Sequence, residues 1–182
     1  MPGRAGDDYV AFVTARQGAL LRAAYLVCGD EHLAHDLLQD ALVKLASRWE
    51  RLRDEAPEAY VRQILYRDAV SRWRRTRRER LVDHQDPGGD LARFRTREPV
   101  EGWVEGAAVR QALMLLPPRQ RAVVVLRYYE DLSEADIATT LGISRGTVKS
   151  QASDAMRTLR SLLPDLDGWV PRVVRDEERG SA

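Results

Sequence analysis

The sequence contains one cysteine, Cys28, in 182 residues. A single thiol excludes an intramolecular disulfide framework and a zinc site built from cysteines. Its place in the apolar run Leu26-Val27-Cys28 predicts a buried thiol that behaves as a small hydrophobe. No apolar stretch approaches the roughly 20 residues of a membrane span, and MPGRAGDDY lacks a signal-peptide core. The expectation is a cytoplasmic protein with no membrane partner. Gly-rich phosphate loops, nucleophile motifs and internal repeats are missing as well, which argues against most enzyme classes. Nor is there an excess of either charge: 29 basic side chains face 28 acidic ones, which excludes a uniformly basic nucleic-acid coat. The balance is segregated, however. Net charge runs −2 over 1–50, +5 over 51–81, −3 over 82–108, +3 over 109–163 and −2 over 164–182. Two basic blocks between acidic stretches predict two places to meet a polyanion.

Proline and glycine mark the joints. Asp86-Pro87-Gly88-Gly89-Asp90 sits in a polar stretch without hydrophobic period, so 82–102 is expected to be a flexible linker. It separates a domain at 6–81 from one at 103–163, and Pro164 opens a loose tail over 164–182. Upstream, Leu20, Leu21, Ala24, Tyr25 and Cys28 recur at helical spacing until Gly29-Asp30. From Glu31 to Glu50, Leu33, Ala34, Leu37, Leu38, Ala41, Leu42, Leu45 and Trp49 share one side of a helical wheel. His32, Asp36, Gln39, Asp40, Val43 and Ser47 share the other. A third helix, about Glu58 to Arg80, has the seam Val61, Ile64, Leu65 and Ala69, then 6 Arg in the 9 residues 72–80. Downstream, Val104 to Leu116 reads as a helix stopped by Pro117, and Pro118 suits the first turn of the next. Val123-Val124-Val125-Leu126 is strand-like by propensity, but its helical neighbours favour a buried short helix. The expected fold class is all-α, with two small helical domains.

The most informative stretch is Ser133 to Ala152. Ser133 with Asp136 forms the pattern of a capping box. Ile137, Ala138 and Leu141 make an inner face, Gly142 permits a tight turn, and Ile143 plugs the gap beneath it. Ser144 can cap a second helix whose inner face is Val148, Ala152, Ala155, Met156 and Leu159. This is a helix-turn-helix, whose second helix enters a major groove. Ser144, Arg145, Thr147, Lys149, Ser150 and Gln151 are therefore the duplex-contacting candidates. Arg and Gln read base edges by paired hydrogen bonds, and Lys mostly meets phosphate or guanine.

The stretch LPPRQRAVVVLRYYEDLSEADIATTLGISRGTVKSQASDAMRTLR resembles the promoter-35-binding domain, domain four, of bacterial sigma factors. HLAHDLLQDALVKLASRWERL followed by EAYVRQILYRDAVSRWRRTRR is similar to their domain two. The whole resembles the small extracytoplasmic-function sigma factors, nearest to the actinobacterial SigE-like group. The resemblance implies that Asp36, Gln39, Asp40 and Val43 grip the β′ coiled coil of core RNA polymerase. It implies a second contact with the β flap, and leaves room for an anti-sigma factor. It further implies that Tyr60, Arg62, Arg67, Arg72, Trp73, Arg74, Arg75, Arg77 and Arg78 meet the promoter-10 element and its melted strand. Tyr66 joins Tyr60 and Trp73 as an aromatic suited to unpaired bases, although Trp73 fits a core equally well. Three residues depart from the family pattern: Arg67 replaces a usual Asn, Asp68 an apolar residue, and Asp154 a basic one. These bear on promoter sequence, not architecture.

Two competing functions remain open at this level. A helix-turn-helix regulator that never touches core polymerase shares the C-terminal motif, but does not need the Asp36/Gln39/Asp40 face. An enzyme would start from His32, His35 and Asp36 on one helix, yet no matching ligands occur elsewhere. Neither cofactor nor metal is expected.

Overall fold

The computed structural model describes residues 4–82 and 107–162, with the side chains of 6–72 and 109–162. Among the described residues the chain is all-helical, and it divides into two compact units, Met1–Trp103 and Val104–Ala182. Past Val82, the expected linker lies outside the described residues, as does the tail with its Trp169.

The first unit contains α1 (Arg4–Cys28), α2 (Glu31–Ala46), α3 (Trp49–Leu52) and α4 (Pro57–Val82). Helix α1 stops where Gly29 takes a left-handed φ of 73° and its N–H closes on the Tyr25 carbonyl at 2.8 Å. Asp30 then caps α2, its carboxylate accepting from the Leu33 N–H at 3.0 Å. α1, α2 and α4 each pack on the other two. Ala23, Ala24, Ala34 and Ala41 are fully buried and let the helices approach closely, while Leu20, Leu37, Leu45, Val61 and Leu65 fill the core.

The helix expected to run to Glu50 breaks at Ser47 and resumes as the single turn α3. The cause is Trp49, which is buried against Tyr9 (ring centroids 5.3 Å apart, edge-on) and Phe12 (5.5 Å) from α1. Each aromatic pair contributes about 0.5–1.5 kcal/mol beyond its burial, enough to outweigh one lost helical turn. The Tyr9 hydroxyl donates to the Leu42 carbonyl at 2.9 Å, and burial raises its pKa above the ordinary tyrosine value. Tyr66 is fully buried and belongs to the core, so it is not a stacking platform. Cys28 is half-buried, its thiol donating to the Asp30 carbonyl at 3.1 Å; the sealed thiol expected from its apolar neighbours is not formed.

The second unit contains α5 (Ala107–Leu115), α6 (Pro118–Val124) continuing into a π-helical turn (Val125–Tyr129), α7 (Glu134–Leu141) and α8 (Arg145–Leu162). Pro118 occupies the first turn of α6 as expected, and Val123 to Leu126 is a buried helical run, not a strand. The π-helical turn was not legible. It ends where Asp131 adopts φ 53° and Leu132 donates to the Leu126 carbonyl at 3.0 Å. Arg121 is buried beside it, its guanidinium donating to the carbonyls of Met114 and Leu116, both at 3.1 Å. That clamp ties α6 to the end of α5, which Pro117 leaves without a continuing helix.

Candidate nucleic-acid interface

In the second unit, local hydrogen bonds build the turn between α7 and α8. The Ser133 hydroxyl accepts from the Asp136 N–H at 3.2 Å and donates to its carboxylate at 2.6 Å. The forward half of the expected capping box is present. The carboxylate engages the hydroxyl rather than returning to the backbone. Gly142 adopts φ 66°, and the Ile143 N–H reaches the Ala138 carbonyl at 3.1 Å, closing α7 in a left-handed cap. Ser144 opens α8: its hydroxyl accepts from the Thr147 N–H at 3.0 Å and lies 2.8 Å from the Thr147 hydroxyl. Val148, Ala152, Ala155 and Leu159 bury the inner face of α8, and Ile137 with Thr140 buries that of α7. Thr140 was missing from the expected inner face. Ser144→Ala is expected to destabilise this unit by about 1 kcal/mol through loss of the cap, measured by urea unfolding. An unchanged midpoint would contradict the capping role.

With its inner face buried, α8 presents Arg145, Lys149 and Ser150 to solvent, with Thr147 and Gln151 half-buried beside them. Ser150 donates to the Thr147 carbonyl at 3.1 Å. Among the described residues, Arg145 makes no ion pair. Lys149 lies 3.8 Å from one oxygen of Glu134, whose other oxygen accepts from Arg127 at 3.0 Å. Sequence reasoning missed Glu134. It was visible only as an acidic residue in the first turn of α7, and nothing in linear spacing shows that it faces α8. Asp154, one of the departures, pairs with Arg157 on its own helix at 2.9 Å.

In the first unit, Asp36, Gln39, Asp40 and Val43 form one exposed face of α2, and Val43 is 64% exposed. His32 and His35 are exposed nearby, but among the described residues no group of three or more His, Cys, Asp or Glu could hold a metal ion. Asp40 pairs with Arg72 at 3.3 Å and Lys44 with Asp68 at 3.0 Å, and both pairs link α2 to α4. The second gives Asp68 a structural partner. The first brings together residues expected to serve different partners. Tyr60 lies at the start of α4 with the Arg48 guanidinium 5.6 Å over its ring and bonded to its hydroxyl. Arg62 is drawn inward, donating to Glu58 at 2.7 Å, while the other Glu58 oxygen meets Arg16 of α1 at 3.3 Å. Arg67 is exposed. Trp73, Arg74, Arg75, Arg77 and Arg78 continue α4, but their side chains lie outside the described residues.

A helical bundle with an acidic face and an arginine-rich helix, followed by a helix-turn-helix with exposed cations, defines a two-domain nucleic-acid-binding protein. Residues 12–79 match the family Sigma-70 region 2, and residues 106–159 match Sigma-70, region 4. The chain is 35% identical over 175 residues to the RNA polymerase sigma-E factor of Streptomyces coelicolor, with 94% of each chain covered. It is 30% identical over 171 residues to the ECF RNA polymerase sigma factor SigL of Mycobacterium tuberculosis, covering 86% of this chain and 96% of that one. The sigma factor RpoE of Bartonella quintana, solved in complex with the anti-sigma factor NepR, has the same fold. The TM-score is 0.67 at 23% identity, over 86% of this chain and 97% of that one. The chain belongs to the sigma-70 family of RNA polymerase sigma factors, in its extracytoplasmic-function group.

Proposed function

We propose that this chain is a dissociable initiation factor whose two domains divide the work of bringing core RNA polymerase to a subset of promoters. The exposed α2 face, Asp36, Gln39, Asp40 and Val43, takes the β′ coiled coil. The start of α4 with Tyr60, Arg67 and the arginine run from Arg72 takes the promoter-10 element. Arg62 is the weakest member of that set, because Glu58 already holds its guanidinium. Ser144, Arg145, Thr147, Lys149, Ser150 and Gln151 take the promoter-35 duplex, with the β flap holding this domain on the polymerase. The working boundaries are 6–81 and 103–163, with 82–102 setting the spacing between the two elements and 164–182 as a tail. RNA synthesis itself belongs to the core enzyme, and this chain acts in the cytoplasm by binding. A regulator of the anti-sigma class is the third partner, by analogy with the complex in which RpoE was solved.

The observation that carries this reading against a polymerase-independent regulator is that residues 12–79 match Sigma-70 region 2 as well as 106–159 matching region 4, since such a regulator needs only the helix-turn-helix. On that first region, Val43 lies 64% exposed on the same α2 face as Asp36, Gln39 and Asp40. On α8 the reading predicts a division of labour. Arg145→Ala is expected to lose about 1–3 kcal/mol of discrimination between a promoter-35 duplex and a scrambled one, as for a lost bidentate base contact. Lys149→Ala is expected to weaken both duplexes alike and to reduce the salt dependence by about one counterion. Fluorescence anisotropy at several salt concentrations separates the two. Equal losses on both duplexes for both variants would contradict the assignment.

A further inference from the structure

We propose that Glu134 competes with the DNA phosphate for the Lys149 ammonium, and so sets the duplex affinity of the second domain. This rests on the reading of α8 as the duplex-contacting helix. Glu134 is the first residue of α7, where the helix dipole favours a carboxylate. Its side chain is only 19% exposed, and Arg127 from the π-helical turn fixes one oxygen at 3.0 Å. The second oxygen is thereby held 3.8 Å from the Lys149 ammonium, on the outward helix that carries Arg145. Lys149 is 68% exposed, so the pair is loose enough for a phosphate to displace. Displacement still has to overcome that attraction on every duplex, whatever its sequence. Glu134 therefore lowers affinity without altering discrimination, in keeping with a phosphate-contacting role for Lys149.

The direction of this effect separates it from a structural role. A merely structural carboxylate would weaken binding when lost. Glu134→Gln is expected to tighten binding about two- to five-fold, the range of an exposed ion pair. The tightening should be equal on a duplex selected by the full chain from random sequences and on its scrambled counterpart. The salt dependence of both should steepen, because the released ammonium then exchanges a full counterion. In a Lys149→Met background the same substitution should change nothing. A second variant, Glu134→Gln with Arg127→Gln, avoids leaving a half-buried guanidinium alone. It should show the steeper salt dependence whenever Lys149 is present. Weaker or unchanged binding by Glu134→Gln, or tightening that persists without Lys149, would overturn the proposal. If Lys149→Met by itself leaves both duplexes unaffected, the assignment of α8 fails first, and the proposal with it. If Lys149→Met weakens both while Glu134→Gln does nothing, only the proposal fails.

Discussion

Asp36→Arg combined with Asp40→Arg is expected to abolish co-elution with core RNA polymerase while leaving the fold intact. The two carboxylates lie four residues apart on the exposed face of α2, so one basic partner surface meets both. Reversing two central charges of an interface removes two attractive contacts and installs two repulsive ones. The loss is expected to exceed about 4 kcal/mol, on the order of a thousand-fold in Kd. The fold should survive because neither side chain is in the core. Asp40 does pair with Arg72, but at 55% and 43% exposure that pair is screened and contributes no more than about 1 kcal/mol. Duplex binding by α8 should also be untouched, since α8 belongs to the other unit. Size-exclusion chromatography with core polymerase reads the result, and undiminished co-elution would contradict the assignment of this face.

The largest expected effect on stability is at Arg121. Arg121→Ala leaves the Met114 and Leu116 carbonyls without the guanidinium that donates to both, and opens a cavity in the second unit. Each hydrogen bond from a charged donor contributes about 1.5–3 kcal/mol, and stranding buried acceptors adds a desolvation penalty. The second unit is expected to lose about 3 kcal/mol or more. Hydrogen exchange at the amides of α6 and α8 measures this within the full chain, independently of the first unit. Protection unchanged from the parent chain would show that Arg121 is not the clamp.

What was legible in the sequence follows the range of the interactions. Ser133, Gly142 and Ser144 act through hydrogen bonds to residues three to five positions away, so their spacing already specified the turn. The apolar seams of α2 and α8 were legible for the same reason, since one helical period contains the whole signal. Trp49 is buried as its place in the apolar seam predicts, but the helix break before it was not legible, because its partners Tyr9 and Phe12 lie on another helix. Tyr66 shows the same limit from the other side. Arginines flank it in sequence, but the packing of α4 on α1 and α2 buries it. For the candidate site, spacing gave the set of exposed side chains on α2 and α8. It did not give Glu134 beneath Lys149, Arg48 over Tyr60, or Arg72 beside Asp40, because each of these pairs joins different elements. The Asp68 departure likewise becomes intelligible only through Lys44 on α2.

Transcription reconstituted from purified parts tests most directly whether this chain confers promoter choice on core polymerase. Core polymerase would be incubated with genomic DNA, with and without the chain, and the 5′ ends of the transcripts sequenced. The expected result is a set of start sites that appears only when the chain is added. Those sites should share two upstream elements at fixed spacing, and should vanish with the Asp36/Asp40 double reversal. A chain that binds duplex DNA through α8 but yields no new start sites and does not co-elute with core polymerase would be a regulator of another kind, and the account would be wrong.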